Sequence, residues 1–411
     1  MAEETTGLAA VRPAGRALSP WTRRLLTFAA LALFAVAIAY MEGPNFSPYY
    51  RRILNVALIY VVAAVSYNLV NGIAGQFSLG PNGFMAIGGF FTTLMMLPVA
   101  RKEQVFFLQP LIWPLSEFSL PEVLQGALSR LIPGSAAIAF LSMSLGFLGA
   151  LVLAGVMAAL GGLVVGIPSL RLRGDYLAIA TFGFGEIIFV LANNLISVTN
   201  GPLGIRDIPE YANLWWTGGA AVFTLWAVQN LVNSTYGRAL KAIREDEIAA
   251  ETMGINVFAH KLLAFVVSAF FAGVAGGLLA ALLTTISPSL FTFMMTFNLL
   301  IIIVLGGLGS TTGAAVTAVV YAVLQEALRA VEAPMRLGPI HIPGVPGMRM
   351  VVFSLLLIFL MLFYRRGLFG RSEFTWQAAW ETAHRLGAAL GGLFQRGTGR
   401  PAGEVRRPRG R

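Results

Sequence analysis

Long apolar runs, broken only by short polar or glycine-rich segments, constrain the fold of this 411-residue chain more than any other feature. A helix that crosses a bilayer needs about 20 apolar residues. The chain is 57% hydrophobic and 12% charged, whereas soluble domains are about 25% charged. The pattern therefore predicts an all-α, polytopic membrane bundle of about 8–10 transmembrane helices. The number is open because some of the apolar runs are short for a crossing and one is long. The candidate spans are 25–41, 53–71, 84–98, 134–167, 176–197, 214–233, 261–285, 291–305, 311–330 and 349–364.

Basic residues lie between these apolar runs and are not gathered on a polar domain. The net charge of +10 therefore reflects the orientation of loops relative to the membrane, with the lipid bilayer as partner, and does not indicate binding to nucleic acid. Arginine-rich loops favour the cytoplasmic side, which predicts that both termini are cytoplasmic. The loops placed inside hold Arg23-Arg24, Arg171 with Arg173, Arg238 to Lys261, and Arg365-Arg366. Arg51-Arg52 and Arg101-Lys102 then fall outside, as exceptions. We divide the chain into a cytoplasmic segment 1–24, a transmembrane domain 25–370 and a basic cytoplasmic tail 371–411.

Several chemistries have no support in the sequence. The chain has no cysteine, and its three histidines share no helical i, i+4 spacing, so we expect no metal site. The segment LGGLGSTTG, Leu305 to Gly313, lacks the Gly-Lys-Ser/Thr ending of a phosphate-binding loop, and no GxxxxGK[ST], HExxH or GxSxG occurs. We therefore expect no cofactor on this chain, no ATPase motif of its own and no enzyme activity.

Glycines break the apolar pattern in two places, within Asn68 to Phe90 and within Leu305 to Gly313. Transporters use broken helices at membrane depth to meet a solute, although close packing through small residues explains such glycines equally well. The glycines concerned are Gly72, Gly75, Gly80, Gly83, Gly306, Gly307 and Gly309. The polar residues that could line a translocation pathway are Asn68, Asn71, Gln76, Ser78, Asn82 and Glu186. For Glu186, a place at the cytoplasmic mouth opposite Arg171 or Arg173 is the alternative.

The polar segment Ser234 to Lys261 predicts a short amphipathic helix between two spans, with opposite charges three or four residues apart and Gly254 ending it. Such a helix either meets a soluble partner or lies passively at the membrane surface. The candidate contact residues are Arg238, Lys241, Arg244, Glu245, Asp246, Glu247, Ala249, Ala250 and Gly254. The proline-rich stretch 99–133 and the turn-rich loop Ser197 to Pro209 are predicted on the outer face, where the loop is either a delivery site or a simple hairpin.

The chain resembles the branched-chain amino-acid ABC permeases, most closely the LivM type of subunit. The motifs NGIAGQFSLGPNGFMAIGG, LRLRGDYLAIATFGFGEII, TNGPLGI, GRALKAIREDEIAAETMGINVFAHKLLAFVVSAFFAGVAGGL, ISP, VLGGLGSTTGA and RRGLFG carry the resemblance, in this order from about residue 54 to residue 370. It implies a multi-pass protein of the bacterial inner membrane. The implied partners are a second related permease, two cytoplasmic ATPase subunits that use ATP, and a periplasmic or lipid-anchored solute-binding protein. It also implies that 234–260 is a loop of the EAA type, which couples the permease to the ATPases.

The sequence departs from the family pattern at several positions. Ile248 stands at the glutamate position of the EAA pattern, Pro81-Asn82 replaces a histidine and a small residue, and Arg366 replaces a proline. The stretches 99–133 and 331–348 are longer than expected. Because Pro81-Asn82 lies in a glycine-broken segment, we keep open the choice between branched-chain amino acids and urea or short amides. From a different class, a stand-alone secondary transporter also builds sites from broken helices, but it usually carries several intramembrane carboxylates.

Overall fold

The computed structural model describes residues 19–106, 108–131, 136–172, 174–332, 335–337, 340–342, 347–363, 367–370, 372–377 and 380. The expectations for Arg173, for Arg365-Arg366 and for the ends of the two terminal segments fall outside these residues. The chain divides into two compact units, one made of the first 37 residues with 374–411, the other of 38–373. In the first unit the Arg23 guanidinium donates to Gln377 Oε1 at 2.8 Å.

Helices dominate the described residues, as predicted. They are α1 Pro20–Glu42, α2 Pro48–Asn68, α3 Pro81–Met96, α4 Val99–Val105, α5 Leu120–Leu131, α6 Ala136–Ser169, α7 Asp175–Asn194, α8 Ile196–Thr199, α9 Leu214–Asn233, α10 Thr235–Glu245, α11 Glu247–Thr252, α12 Val257–Leu283, α13 Phe293–Gly306, α14 Thr311–Ala327 and α15 Met348–Phe363. A π-helical turn, Leu69–Ile73, follows α2, and short 3-10 turns occupy Gly201–Leu203, Pro288–Phe291 and Leu328–Glu332. The strands β1 Met335–Leu337 and β2 Ile340–Ile342 pair antiparallel.

Each of the ten predicted spans coincides with one of these helices. By length and composition, six segments can cross a bilayer: Pro20–Glu42, Pro48–Ile73, Ile138–Ser169, Asp175–Asn194, Val257–Leu283 and Pro288–Gly306. The chain is therefore a multi-pass membrane protein, and the total of eight to ten crossings stays a prediction. The long run 134–167 forms a single helix, α6, whose 34 residues span about 50 Å, well beyond the hydrocarbon thickness.

The core of the second unit lies around α12, which packs against α2, α3 and α6. Small residues bring these backbones together. A Cβ on Gly88 would overlap the backbone of Gly273, and a Cβ on Gly276 would overlap the carbonyl of Met85. Without a hydrophobic driving force between helices in lipid, such close contact is the main source of helix association. Some glycines in the predicted broken segment thus serve helix packing.

At the end of the bundle opposite α10, short elements cover the helices. Residues 99–131 form only the short helices α4 and α5 in their described part, which agrees with the non-spanning segment predicted there. The buried Lys102 ammonium donates to the carbonyls of Leu115 at 2.7 Å and Phe118 at 2.5 Å. The loop after α8 pairs with the segment before α13 through Ile205 and Ile286, at 2.8 and 2.9 Å. These contacts fix a folded cover over this end of the bundle.

Candidate functional site

The first glycine-broken segment interrupts the helices of the bundle. After the π-helical turn the chain runs without helix through residues 74–80 and enters α3 at Pro81. Gly75 has φ +68°, a left-handed conformation that favours glycine. Proline at the first position of α3 costs no hydrogen bond, because a helix leaves that N–H unpaired. The unusual Pro81 therefore suits the start of a helix deep within the protein.

Polar side chains satisfy the backbone groups that this break exposes. Asn71 accepts from the N–H of Ser78 and donates to its carbonyl, both at 3.3 Å. The Tyr67 hydroxyl donates to the same carbonyl at 2.6 Å. The Thr181 hydroxyl accepts from the N–H of Leu79 at 2.9 Å. A buried backbone needs such partners in lipid, so these side chains hold the broken segment in place.

Asn82, in the first turn of α3, joins three elements. Its Oδ1 accepts from the Thr296 hydroxyl at 3.0 Å, and its Nδ2 donates to the carbonyl of Phe291 at 3.2 Å. Only 1% of Asn82 is exposed. A Cβ on Gly185 of α7 would lie 2.8 Å from Asn82 Oδ1. The structure thus places Asn82 as a link among α3, α7 and the start of α13.

The two glycine-broken segments meet. Asn68 Oδ1 accepts from the N–H of Gly309 at 3.0 Å, and a Cβ on Gly72 would overlap the Gly309 backbone. The side-chain oxygen and nitrogen of Gln76 are buried and have no hydrogen-bond partner among the described residues. The same is true of Asn68 Nδ2. Burying such groups unpaired is costly, so this junction has polar capacity that the described contacts leave unused.

The second segment ends α13 with left-handed glycines, Gly307 at φ +107° and Gly309 at φ +91°. The N–H groups of Leu368 and Phe369, from the GLFG motif, donate to carbonyls at the end of α13, at 2.8 and 3.2 Å. The Glu373 carboxylate then accepts from the N–H and hydroxyl groups of Thr311 and Thr312, at 2.6 to 3.2 Å. A carboxylate at a helix N-terminus meets unpaired donors and the positive end of the dipole.

The polar segment Ser234 to Lys261 forms two helices, not the single helix predicted. α10 ends at Glu245, and Asp246 starts α11 by accepting from the N–H groups of Ile248 and Ala249, both at 2.9 Å. The N-cap requires an extended backbone at Asp246, which breaks the helix there. Gly254, with φ +83°, follows the end of α11, as predicted. Leu240, Ile243 and Ala250 form the buried side.

The charge pairs of this segment also differ from the predicted three- or four-residue spacing. Glu247 binds Lys261 of α12 at 2.7 Å, and Arg244 binds the adjacent Glu245 at 2.8 Å. Lys241 is exposed on α10. Arg238 is exposed and donates weakly to the carbonyl of Asn233 at 3.4 Å. Capping of α11 by Asp246 removes that carboxylate from any i, i+4 pair.

Arg244 joins the α10–α11 segment to both glycine-broken segments. Its Nη1 donates to the carbonyl of Gly72 at 3.0 Å. A Cβ on Gly75 would lie 2.6 Å from Arg244 Cγ, and one on Gly309 would lie 2.9 Å from Arg244 Nη1. Gly75 and Gly309 therefore make room for the Arg244 side chain. Arg244 therefore connects α10 with the point where α2 and α13 are interrupted.

Glu186 lies in the middle of α7, eleven residues after its first residue, Asp175. The helix rise separates it by about 16 Å from that end. The structure shows no ion pair between Glu186 and Arg171, which precedes α7, and Arg173 lies outside the described residues. The side chain is half-buried, one residue after the glycine that packs on Asn82.

Sequence reasoning missed Thr181, Thr296 and Glu373. Their only local signal is a hydroxyl in an apolar helix or a carboxylate beyond the last span, and neither identifies a partner more than 60 residues away. Among the described residues, no group of three or more His, Asp or Glu side chains is placed to hold a metal ion.

Comparison with known proteins connects this geometry to a family. Residues 49–361 match the protein-family model described as branched-chain amino acid transport system / permease component. The chain is 32% identical over 341 residues to the high-affinity branched-chain amino acid transport system permease protein LivM of Escherichia coli, covering 75% of this chain and 69% of that protein. It is 25% identical over 288 residues to the probable LivM permease of Methanocaldococcus jannaschii, covering 65% and 77%. The LivH permease of Salmonella typhimurium is 30% identical over 206 residues, covering 45% and 65%.

Proposed function

Because this chain belongs to the family of branched-chain amino acid transport permease components, we propose that it is a membrane-spanning subunit of an ABC importer for leucine, isoleucine and valine. Relatives of both the LivM and the LivH type are permease proteins of one kind of transport system. The matched region contains α2 to α14, and so holds both glycine-broken segments and the α10–α11 segment.

The contact of Arg244 with Gly72 carries the mechanistic part of the proposal. ATP-driven closure of two cytoplasmic ATPase subunits moves α10 and α11, which present exposed charged residues beside a buried apolar side. Arg244 transmits this movement to the carbonyl of Gly72 and to the Gly309 turn. Coupling between distant sites requires an element with two arrangements, and in this proposal the Arg244 contact is that element.

The remaining assignments concern partners and placement. The end of the bundle that holds α10 and α11 faces the cytoplasm of a bacterial inner membrane, because it carries Arg238, Lys241, Arg244 and Lys261. A second related permease packs beside this chain. A periplasmic or lipid-anchored binding protein delivers the amino acid to the opposite end, where α4, α5 and the loop after α8 form the outer cover.

Uptake into proteoliposomes tests the proposal. We expect labelled leucine to enter with ATP only when this chain is assembled with its second permease, its ATPases and its binding protein. Uptake of urea in preference to leucine would change the solute to a short amide. Ion-driven uptake by the lone chain would overturn the assignment in favour of a secondary transporter.

A further inference from the structure

A cavity of about 710 Å³ opens at the end of the bundle opposite α10. It lies among the start of α2, the start of α13, the end of α14 and α15. Because α2 runs from this end to the π-helical turn beside Arg244, the twenty residues from Arg52 to Gly72 span about 30 Å. Its volume falls in the range of small-molecule sites. We call it the mouth cavity.

The lining of the mouth cavity is graded. Charged groups lie at its rim, where α2 begins and α14 ends: Arg52, Glu326 and Arg329. One to three turns further along α2 and α13, the lining is mainly apolar, with Val56, Tyr60, Phe297 and Ile301 beside the single amide of Asn298. A ligand that fits this gradient carries charge of both signs at one end and an apolar group at the other.

Hydrogen bonds between side chains of different elements hold the rim of the mouth cavity together. The Tyr49 hydroxyl donates to Glu326 Oε1, which also accepts from Arg329 Nη1 at 3.2 Å, so α2 and α14 are joined at the rim. Glu326 thus brings a carboxylate, the group that attracts an ammonium, to the rim of the cavity. Arg52 is exposed, three residues after Tyr49 and hence on the same face of α2. A guanidinium binds a carboxylate through paired N–H groups.

The mouth cavity also accounts for an exception in the charge pattern. Arg51 and Arg52 lie on the side where arginines are disfavoured. Arg51 donates to the carbonyls of Gly43 and Phe46, at 3.1 and 3.4 Å, and thereby holds the turn before α2. Arg52 has no hydrogen bond or ion pair with the residues that the structure describes, but it lines the cavity.

We propose that the mouth cavity binds a zwitterionic amino acid with an apolar side chain, its carboxylate at Arg52, its ammonium at Glu326 and its side chain against Val56 and Ile301. The inference rests on the proposed function and locates a site for its solute on this chain. A zwitterionic phospholipid shares the same chemistry, charged head and apolar tail. The test therefore has to distinguish the two occupants.

The test uses the full assembly in proteoliposomes and a diazirine analogue of leucine, followed by peptide mapping after irradiation. We expect adducts within α13 or α14 beside the cavity, reduced at least tenfold by excess leucine. Ala322→Phe fills the cavity, and Arg52→Gln removes the carboxylate partner without disturbing a buried contact. Both should reduce adducts and leucine uptake about tenfold. Val320→Phe, on an exposed part of α14 outside the lining, should leave both unchanged.

Three results would overturn the inference. Adducts that fall elsewhere in an assembly that imports leucine would refute the site alone. Adducts in the cavity that leucine does not displace, together with a co-purified phospholipid, would assign the cavity to lipid. Absence of leucine uptake by the unmodified assembly would refute the proposed function itself, and with it the amino acid as ligand.

Discussion

Replacing Arg244 by methionine isolates the contact on which the coupling proposal depends. Methionine keeps an unbranched apolar stem against Gly75 but removes the guanidinium that donates to the Gly72 carbonyl at 3.0 Å. A hydrogen bond to a charged group contributes roughly 1.5–3 kcal/mol. The lost ion pair with Glu245 adds little, since 62% of the Glu245 side chain is exposed and surface pairs contribute about 1 kcal/mol or less.

The difference of roughly 1.5–3 kcal/mol corresponds to a factor of about 10–150 in the equilibrium between attached and detached α10. We expect leucine imported per ATP hydrolysed to fall about tenfold or more in proteoliposomes with the full assembly. ATP hydrolysis should stay within about twofold, because α10 and α11 still offer their outer side to the ATPases. The variant is therefore expected to hydrolyse ATP without matching transport.

Two variants serve as matched controls. Arg238→Met removes an exposed arginine from the same helix, whose hydrogen bond to Asn233 is long, at 3.4 Å. Glu245→Gln removes the ion pair and leaves the Arg244 contact with Gly72. Both should keep the unmodified ratio of leucine imported to ATP hydrolysed, because the Arg244 contact with Gly72 stays intact. If Arg244→Met imports leucine as efficiently as these controls, Arg244 does not link α10 to the glycine-broken segments, and the coupling argument is refuted.

Three further predictions concern the surrounding structure. Gly72→Ala should lower the melting temperature of the assembly by several degrees, because its Cβ would overlap the Gly309 backbone, whereas Gly183→Ala, with open space around it, should not. Lys102→Met should accelerate proteolysis of the outer cover relative to Glu103→Gln, because two carbonyls lose their donor at a cost of roughly 1–3 kcal/mol each. Burial lowers the pKa of Lys102 to about 8 from 10.5, so the folded state binds fewer protons than the unfolded state between these pH values. The unmodified protein should therefore gain thermal stability relative to Lys102→Met as the pH rises through that window, measured as the difference between their melting temperatures. Glu373→Gln should destabilise the start of α14 by about 1 kcal/mol, measured as faster hydrogen exchange there, and unchanged exchange would refute the capping role.

Local chemistry made much of this fold predictable. Apolar runs predicted ten segments, and each coincides with a helix. This was possible because the length and hydrophobicity that a helix needs to lie in a bilayer are local properties of the sequence. The end of α11 was predictable from Gly254, whose left-handed backbone favours glycine. The break between α10 and α11 was not predicted. Asp246 reads equally well as a charge-pair partner and as a helix cap, and only the folded backbone decides between these roles.

The site was predictable as a set of segments but not as a set of contacts. The glycines of both broken segments were identified, yet their meeting through Asn68 and Gly309 joins residues 241 positions apart. The same holds for Arg244 and Gly72, separated by 172 positions. Sequence periodicity reports which face of a helix is apolar and contains no record of which distant residue lies opposite.

Asn82 offers a test of whether the polar residues of the first broken segment contact solute or hold backbone. The sequence places it among the pathway candidates, while the structure engages both ends of its amide, with Thr296 and with the Phe291 carbonyl. Loss of two buried hydrogen bonds in Asn82→Ala costs roughly 1–3 kcal/mol for each orphaned group. A structural link therefore predicts a lower melting temperature and an equal reduction in uptake of leucine, isoleucine and valine. A solute contact predicts instead an unchanged melting temperature and altered ratios among the three uptake rates. The variant Thr296→Val removes the hydroxyl partner without touching Asn82, and it should reproduce the same uniform reduction if the link is what matters. Changed solute ratios in Asn82→Ala alone would return Asn82 to the translocation pathway.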